Sequence, residues 1–258
     1  EQVKKLTQQI KSLFPNRKLY IFADQEGGFV DKIGNLNIIK SKGASYYGEL
    51  AKKDLNLAKK TLFKDTYKAA IELKKLGING NFAPVLDLKH YPHQLPKDCN
   101  KDCYITNDRS YSNDPKIISA LANEFIKASI KAGIIPSTKH MPGLGRTNVD
   151  THKGIAIINT EKKILSETDF LPFKDLASKT KLAMVNHAIY SAIDSKPTSL
   201  SAEIVKIIRE EIKFEGLLIT DALNMGGLKD YDFHERAALS FAAGIDVIMP
   251  HIIPIVHN

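Results

Sequence analysis

Short apolar runs alternate with amphipathic stretches along this chain, and this alternation constrains the fold more than any other feature of the sequence. The runs are rich in branched residues, and polar residues follow nearly all of them. They occupy residues 18–23, 81–85, 134–138, 182–186, 217–220 and 246–249. A strand covered on both faces is apolar throughout, so we predict a buried parallel β-strand at each run.

The amphipathic stretches between the runs carry the end signals of helices. Asp114 and Pro115 suit the N-cap and first residue of a helix that ends at Gly133. Further helices are predicted at residues 1–13, 61–76, 201–216 and 235–243. Repeating strand-helix units imply parallel strands with right-handed crossovers, and therefore an α/β barrel or a doubly wound open sheet.

The positions of the polar residues favour the barrel. Those that follow the predicted strands are Asp24, Gln25, Glu26, Asp87, Lys139, His140, Asn186, His187 and Asp221. A barrel assembles its site from the C-terminal ends of many strands, whereas an open sheet concentrates it at one switch point, usually with a glycine-rich phosphate turn. The sequence has neither Gly-x-Gly-x-x-Gly nor a Walker A motif. We therefore predict a (β/α)8 barrel of the TIM type, with residues 1–258 in a single domain.

The predicted strand count leaves a question about this barrel. Six strands are predicted where eight are required. Either two strands precede Glu1 in a longer protein, or the barrel is incomplete. Both alternatives are open at the level of sequence.

Composition and charge argue against several classes of partner. Hydrophobic residues make up 43% of the chain and charged residues 26%, as is usual for a globular domain with a substantial core. No apolar stretch approaches the roughly 18 residues of a membrane helix. The net charge of +8 comes with lysines scattered over predicted solvent faces. We therefore expect a protein that binds neither nucleic acid nor membrane. We further expect it to be cytoplasmic and monomeric.

Residues 139–152 form the segment richest in chemically capable side chains. Asp221, at the end of an apolar strand, is a candidate nucleophile, and capping the following helix is the alternative role. Histidine is a common general acid and base, so His152 is the candidate that gives a proton to a leaving group and then takes one from water. Asp150 lies two residues before His152, and in extended backbone the two side chains would project to the same side. The alternative is a helix cap beside a surface histidine.

Six segments, in the same order along the chain, resemble glycoside hydrolase family 3, and in particular its single-domain bacterial β-N-acetylhexosaminidases. The segments are Asp24-Gln25-Glu26-Gly27-Gly28, residues 81–87, Asp108-Arg109-Ser110-Tyr111, residues 139–152, residues 186–190 and residues 219–225. The resemblance implies that Asp221 is the nucleophile, His152 the general acid/base and Asp150 the partner of that histidine. It also implies a (β/α)8 barrel with two strands before the Asp24 segment.

The resemblance further implies a substrate. Residues Asp24, Arg109, Lys139 and His140 would hold a sugar that bears an N-acetyl group, with Lys32 as an additional cation. The implied reaction releases terminal N-acetylglucosamine from peptidoglycan-derived muropeptides with retention of configuration and without a cofactor. His187 belongs to a matching segment, and we expect it to support the structure rather than to catalyse.

The main departures from the family pattern are at three residues, and Thr151 in place of a frequent serine is a milder change. After Gly28 the family usually has two arginines three residues apart, but this chain has Phe29 and Lys32. Leu144 stands where the family commonly has a histidine. We expect these changes to affect substrate affinity more than the chemistry.

Two alternatives come from other classes of protein. The first is a metal-dependent barrel hydrolase with His140, His152 and aspartates such as Asp24 or Asp221 as ligands. The second is a catalytically silent sugar-binding protein. The presence of Asp150, His152 and Asp221 argues against this alternative. The two cysteines, Cys99 and Cys103, lie in a polar loop and favour reduced surface thiols over a zinc site or disulfides.

Overall fold

The structure, a computed structural model, describes residues 1–89, 108–147 and 149–250. Its strands are β1 (Phe22–Ala23), β2 (Gln25–Gly27), β3 (Val30–Asp31), β4 (Gly80–Asn81), β5 (Ile135–Pro136), β6 (Thr138–Met141), β7 (Ile157–Ile158), β8 (Leu182–Val185), β9 (Ile189–Tyr190), β10 (Leu217–Ala222) and β11 (Val247–Met249). Its α-helices are α1 (Gln2–Ser12), α2 (Lys32–Asn35), α3 (Ala44–Lys53), α4 (Leu55–Lys75), α5 (Pro115–Ala132), α6 (Lys162–Glu167), α7 (Leu171–Leu176), α8 (Ala202–Glu210) and α9 (Phe233–Ala243).

Parallel strands from six stretches of the chain follow one another in space in the same order as along the chain, with β5 and β6 as the two parts of one stretch. One sheet has the order β1-β4-β5 and another β11-β10-β8-β6. The two are continuous, because Leu86 N–H donates to the carbonyl of Lys139 (2.7 Å) and Lys139 N–H donates to that of Pro84 (3.1 Å). The sheet therefore winds in a single direction, as in a barrel, instead of reversing as in a doubly wound fold.

Side chains from both ends of this strand order share one interior cluster. Phe22 of β1 stacks on Phe82 with ring centroids 4.7 Å apart. Both belong to a cluster that also contains Met184 of β8, Ile219 of β10 and Met249 of β11. Strands at opposite ends of the order can reach one cluster only if the sheet curls on itself. The fold is thus of the TIM-barrel type, and the predicted class is confirmed.

The predicted strand bounds need correction at β1, where the run 18–23 is a strand only at Phe22–Ala23, and at β4. The expected strand at 81–85 is regular only at Gly80–Asn81, with an isolated parallel bridge at Val85. Pro84 has no N–H to donate, so the ladder is interrupted there. The short antiparallel pair β2–β3 and the pair β7–β9 were not predicted.

Helix ends follow local capping chemistry. The predicted helix from Asp114 to Gly133 is confirmed, since Asp114 accepts from Lys116 N–H and Gly133 has a φ of 82°. Helix α4 begins earlier than predicted because Asp54 caps it. Helix α8 ends at Glu210, before the predicted residue 216, and Arg209 Nη1 donates to the carbonyls of Phe214 and Gly216 as the chain turns back. Among the described helices, none is both long and apolar enough to cross a membrane.

Candidate active site

A cavity of about 670 Å³ opens at the C-terminal ends of the barrel strands. This volume lies within the range of ligand pockets, about 300–1,000 Å³. The predicted site residues that line it are Asp24, Lys32, Arg109, Lys139, His140, His152 and Asp221. Asp150 stands behind His152. The structure thus gathers into one site side chains that span almost 200 positions of sequence.

Glu26 joins the cations at the floor of the cavity. Arg109 donates to it from Nε (2.7 Å) and Nη2 (2.9 Å), and Lys139 Nζ lies 2.7 Å from its Oε1. Lys139 Nζ also donates to Asp24 Oδ1 at 2.7 Å. Burial alone would raise the pKa of Glu26, but Lys139 and Arg109 outweigh it and lower the pKa to about 2. We call Asp24, Glu26, Arg109 and Lys139 the floor cluster, and its two negative and two positive charges balance.

The sequence pointed to Glu26 only in part. It is one of the polar residues after the first strand, but we did not assign it to the site. Asp24 and Glu26 are two positions apart, so an extended backbone directs both to one face. That spacing was the available signal.

We expect Glu26→Gln to weaken the fold in a pH-dependent way. The pKa of Glu26 is about 2 in the fold against an ordinary 4.5, so its contribution to the free energy of unfolding is complete above pH 4.5 and disappears as the pH falls towards 2. The difference corresponds to about 3 kcal/mol. The free energy of unfolding, measured in urea, should fall more between pH 7 and pH 3 in the wild type than in Glu26→Gln. Glu49→Gln, which alters an exposed pair with Lys52, is the control. Equal pH dependence in wild type and Glu26→Gln would contradict the assignment.

Asp87 fixes the ring of His140. The Nδ1 atom of His140 lies 2.6 Å from Asp87 Oδ2, and Asp87 Oδ1 accepts the backbone N–H groups of His140 (3.2 Å) and Leu144 (2.7 Å). A carboxylate accepts hydrogen bonds, so Nδ1 carries the proton in this contact. Nε2 lies 3.4 Å from Arg109 Nη2 and accepts from it. Leu144 is buried and holds this arrangement through its backbone N–H.

Asp221 lies inside strand β10, one residue beyond the predicted strand end. It does not cap the following helix, because Asp232 caps α9. Burial alone would raise the pKa of Asp221, but His140 and His187, when they are protonated, lower it by their positive charge, and the backbone N–H of Ala222 and the ammonium group of Lys139 lower it in every state of the two histidines. Asp221 is therefore ionised at neutral pH, as a carboxylate nucleophile must be.

His187 supports the strand end behind Asp221. Its Nε2 lies 3.1 Å from the carbonyl oxygen of Ala222, and its Nδ1 lies 2.7 Å from Ser199 Oγ. Burial lowers the pKa of His187 although Asp221 opposes the shift. A neutral ring that donates to the Ala222 carbonyl and accepts from Ser199 fits the expected supporting role.

His152 and Asp150 form a pair, but in a turn and not in the extended backbone that we expected. His152 Nδ1 lies 2.8 Å from Asp150 Oδ1, and the backbone N–H of His152 donates to the same oxygen at 2.9 Å. Lys153 N–H donates to the carbonyl of Asp150 at 2.9 Å, which closes the turn. An aspartate that binds the N–H two residues on is a usual way to start a turn, and this contact brings the two side chains together. Nε2 of His152 is the ring nitrogen that Asp150 does not contact.

Backbone contacts join the His152 turn to the segment after Asp221. Gly226 N–H donates to the carbonyl of His152 (3.0 Å), and Gly227 N–H donates to that of Thr151 (2.9 Å). A Cβ atom at Gly226 would lie 2.5 Å from the carbonyl carbon of Lys153, so a glycine is needed for this close approach.

The predicted metal ligands are engaged in other contacts. His140 and His152 each present Nδ1 to an aspartate, and Asp24 binds Lys139. Within residues 1–89, 108–147 and 149–250, no three His, Cys, Asp or Glu side chains are grouped so that they could hold a metal ion. The metal-dependent alternative gains no support from this geometry. Cys99 and Cys103 lie outside the described residues.

Known proteins are similar to this chain in both sequence and fold. Residues 1–255 match the model of the glycosyl hydrolase family 3 N terminal domain. Beta-hexosaminidase A of Pseudoalteromonas piscicida is 31% identical over 262 residues, which cover 94% of this chain and 41% of that protein. Beta-hexosaminidase of Haemophilus influenzae is 32% identical over 254 residues, which cover 96% of this chain and 68% of that protein.

Solved structures give the same result. NagZ from Neisseria gonorrhoeae, in complex with N-trifluoroacetyl-D-glucosamine, superposes with a TM-score of 0.82 at 28% identity over 97% of this chain and 70% of that one. A family 3 beta-N-acetylglucosaminidase from Paenibacillus sp. has the same TM-score and identity and covers 97% of this chain and 46% of that one. The match over residues 1–255, together with these relatives, shows that the chain belongs to glycosyl hydrolase family 3.

Proposed function

We propose that this protein is a retaining exo-β-N-acetylglucosaminidase that releases terminal N-acetylglucosamine from peptidoglycan-derived muropeptides. One observation carries the proposal: an ionised Asp221 and the His152–Asp150 pair serve the same cavity as the charge-balanced floor cluster. The names of the relatives, beta-hexosaminidase and beta-N-acetylglucosaminidase, support the choice of sugar. The proposal requires no cofactor.

The first chemical step forms a glycosyl-enzyme. Asp221 attacks the anomeric carbon while Nε2–H of His152 gives its proton to the oxygen of the departing group. The bond from the anomeric carbon to that oxygen breaks as the ester bond to Asp221 forms. Asp150 accepts from Nδ1–H and stabilises the ring in the required tautomer.

The second step reverses the proton transfer. Nε2 of His152 takes a proton from water, and the resulting hydroxide attacks the anomeric carbon and releases Asp221. Two displacements at one carbon restore the starting configuration, so the product has retained stereochemistry.

The floor cluster suits an uncharged sugar. Hydroxyl groups both donate and accept, and the cluster offers carboxylate acceptors beside ammonium and guanidinium donors. We assign Asp24, Arg109, Lys139 and His140 to this sugar. Lys32 is exposed at the cavity and is assigned to the carboxylate of a muropeptide. A histidine acid/base also disfavours an anionic substrate less than a second carboxylate would.

A 5-fluoro-N-acetylglucosaminyl fluoride should trap the intermediate on Asp221. The good leaving group speeds formation of the glycosyl-enzyme, and the ring fluorine slows its hydrolysis because both steps pass through an oxocarbenium-like transition state. Mass spectrometry of digested protein should locate one added sugar on the peptide that contains Asp221. The Asp230→Asn variant changes an exposed aspartate in the segment that follows β10, and it should be labelled to the same extent as the wild type. An adduct on another residue would overturn the nucleophile assignment.

The cytoplasmic location, the monomeric state and the single domain stay predictions.

A further inference from the structure

The side chains on the floor of the cavity are buried, whereas those on its rim are exposed to solvent. The side chains of Lys139 and Glu26 on the floor are only 3% and 5% exposed. At the rim the side chain of His152 is 63% exposed, and Phe29 is 83% exposed. Phe29 is the most exposed large hydrophobic residue of the described part of the chain, yet it lines this cavity.

The backbone that carries Phe29 is firmly held although its ring is not. Phe29 N–H donates to Asp108 Oδ2 at 3.0 Å, and Gly28 N–H donates to the carbonyl of Ser41 at 2.9 Å. Asp108 also accepts from Ser45 Oγ at 2.7 Å. Gly28 has a φ of 60°, and a Cβ atom there would lie 2.0 Å from Asp108 Oδ2. The turn between β2 and β3 therefore fixes the backbone of Phe29 on the rim, and the ring extends from it into solvent.

The chemistry of the site decides which part of a substrate reaches this ring. The terminal sugar needs the polar floor for its hydroxyl groups. His152 must reach the oxygen that joins this sugar to the rest of the substrate, so that oxygen lies at the level of the rim. The ring that begins beyond the oxygen is then at the level of Phe29.

We propose that Phe29 is a specificity-determining residue whose ring stacks on the first sugar of the leaving group. One face of a pyranose carries C–H groups, and covering an exposed phenyl ring with that face removes apolar surface from water. A phenylalanine can make this contact at low entropic cost, because its side chain has only two torsions. Lys32, the first residue of α2 directly after the β2–β3 hairpin, would meet the charge of the leaving group while Phe29 meets its ring. This inference rests on the proposed function.

Two substrates with the same terminal sugar isolate the contact. N,N′-diacetylchitobiose has a sugar ring in the leaving group, whereas N-acetyl-β-glucosaminyl fluoride has no ring there. We expect Phe29→Ala to lower the ratio of kcat/KM for the disaccharide to kcat/KM for the fluoride about 3- to 10-fold. Phe29→Tyr should keep the wild-type ratio because it keeps the ring. Phe241→Ala, at an exposed phenylalanine on α9, is the matched control and should also keep it.

The outcomes separate this inference from the function on which it rests. If the wild type hydrolyses both substrates and Phe29→Ala leaves the ratio unchanged, the stacking role is wrong and the proposed function stands. A ratio that falls equally in Phe29→Tyr would also overturn stacking, since the ring is present. If the wild type hydrolyses neither substrate, the proposed function fails and this inference fails with it.

Discussion

Asp221→Ala is expected to lower kcat on an aryl N-acetyl-β-glucosaminide by roughly 10⁴- to 10⁶-fold, the scale seen when an enzyme loses its nucleophile. The variant has no atom that can bond to the anomeric carbon, so the two-step route is closed. Sodium azide should restore part of the activity, since the shortened side chain leaves room for a small anion. The product should be the α-glycosyl azide, because a single displacement inverts the configuration.

The control for Asp221→Ala is a change at a second aspartate, which lies outside the cavity. Asp230→Asn should keep wild-type turnover, because this exposed aspartate follows β10 outside the cavity. If Asp221→Ala kept most of its activity, or if azide gave the β-azide, another group would have to be the nucleophile.

His152→Ala is expected to act according to the leaving group. For the disaccharide, whose alkoxide is a poor leaving group, kcat/KM should fall about 10²- to 10⁴-fold, the usual contribution of general acid catalysis. For a 2,4-dinitrophenyl glycoside it should change little, since that phenolate departs without a proton. Asp150→Asn should show the same pattern with smaller losses, because it removes the negative charge beside Nδ1 and leaves the ring in place.

Steady-state rates of both substrates check this expectation. His234→Ala, at an exposed histidine of α9, is the control and should match the wild type on both. Equal losses on the two substrates in His152→Ala would mean that His152 binds substrate but does not protonate the leaving group.

The architecture could be predicted because it follows from local patterns. Apolar runs marked the six parallel strands, and the polar residues just after them met at one end of the barrel. Asp114 and Gly133 marked the ends of α5 through capping chemistry that acts over a few residues. Such features need no knowledge of distant partners.

The missed parts depend on distant partners. Glu26 matters because it meets Arg109, which lies 83 positions away, and Asp87 because it meets His140, 53 positions away. Neither pairing leaves a local pattern in the chain. The Asp150–His152 pair was predicted with the wrong backbone, because periodicity cannot distinguish an extended segment from a turn closed by its own side chain.

The order of the site residues along the chain bears on how the protein is made. The groups assigned to hold the sugar all precede Met141, and the groups assigned to the chemistry, from Asp150 to Asp221, all follow it. A ribosome therefore releases the recognition half first, and the nucleophile joins it only when β10 inserts beside β8. A nascent chain that has reached residue 200 would contain every residue assigned to bind the sugar, but it would lack the nucleophile that hydrolysis of the glycosidic bond requires.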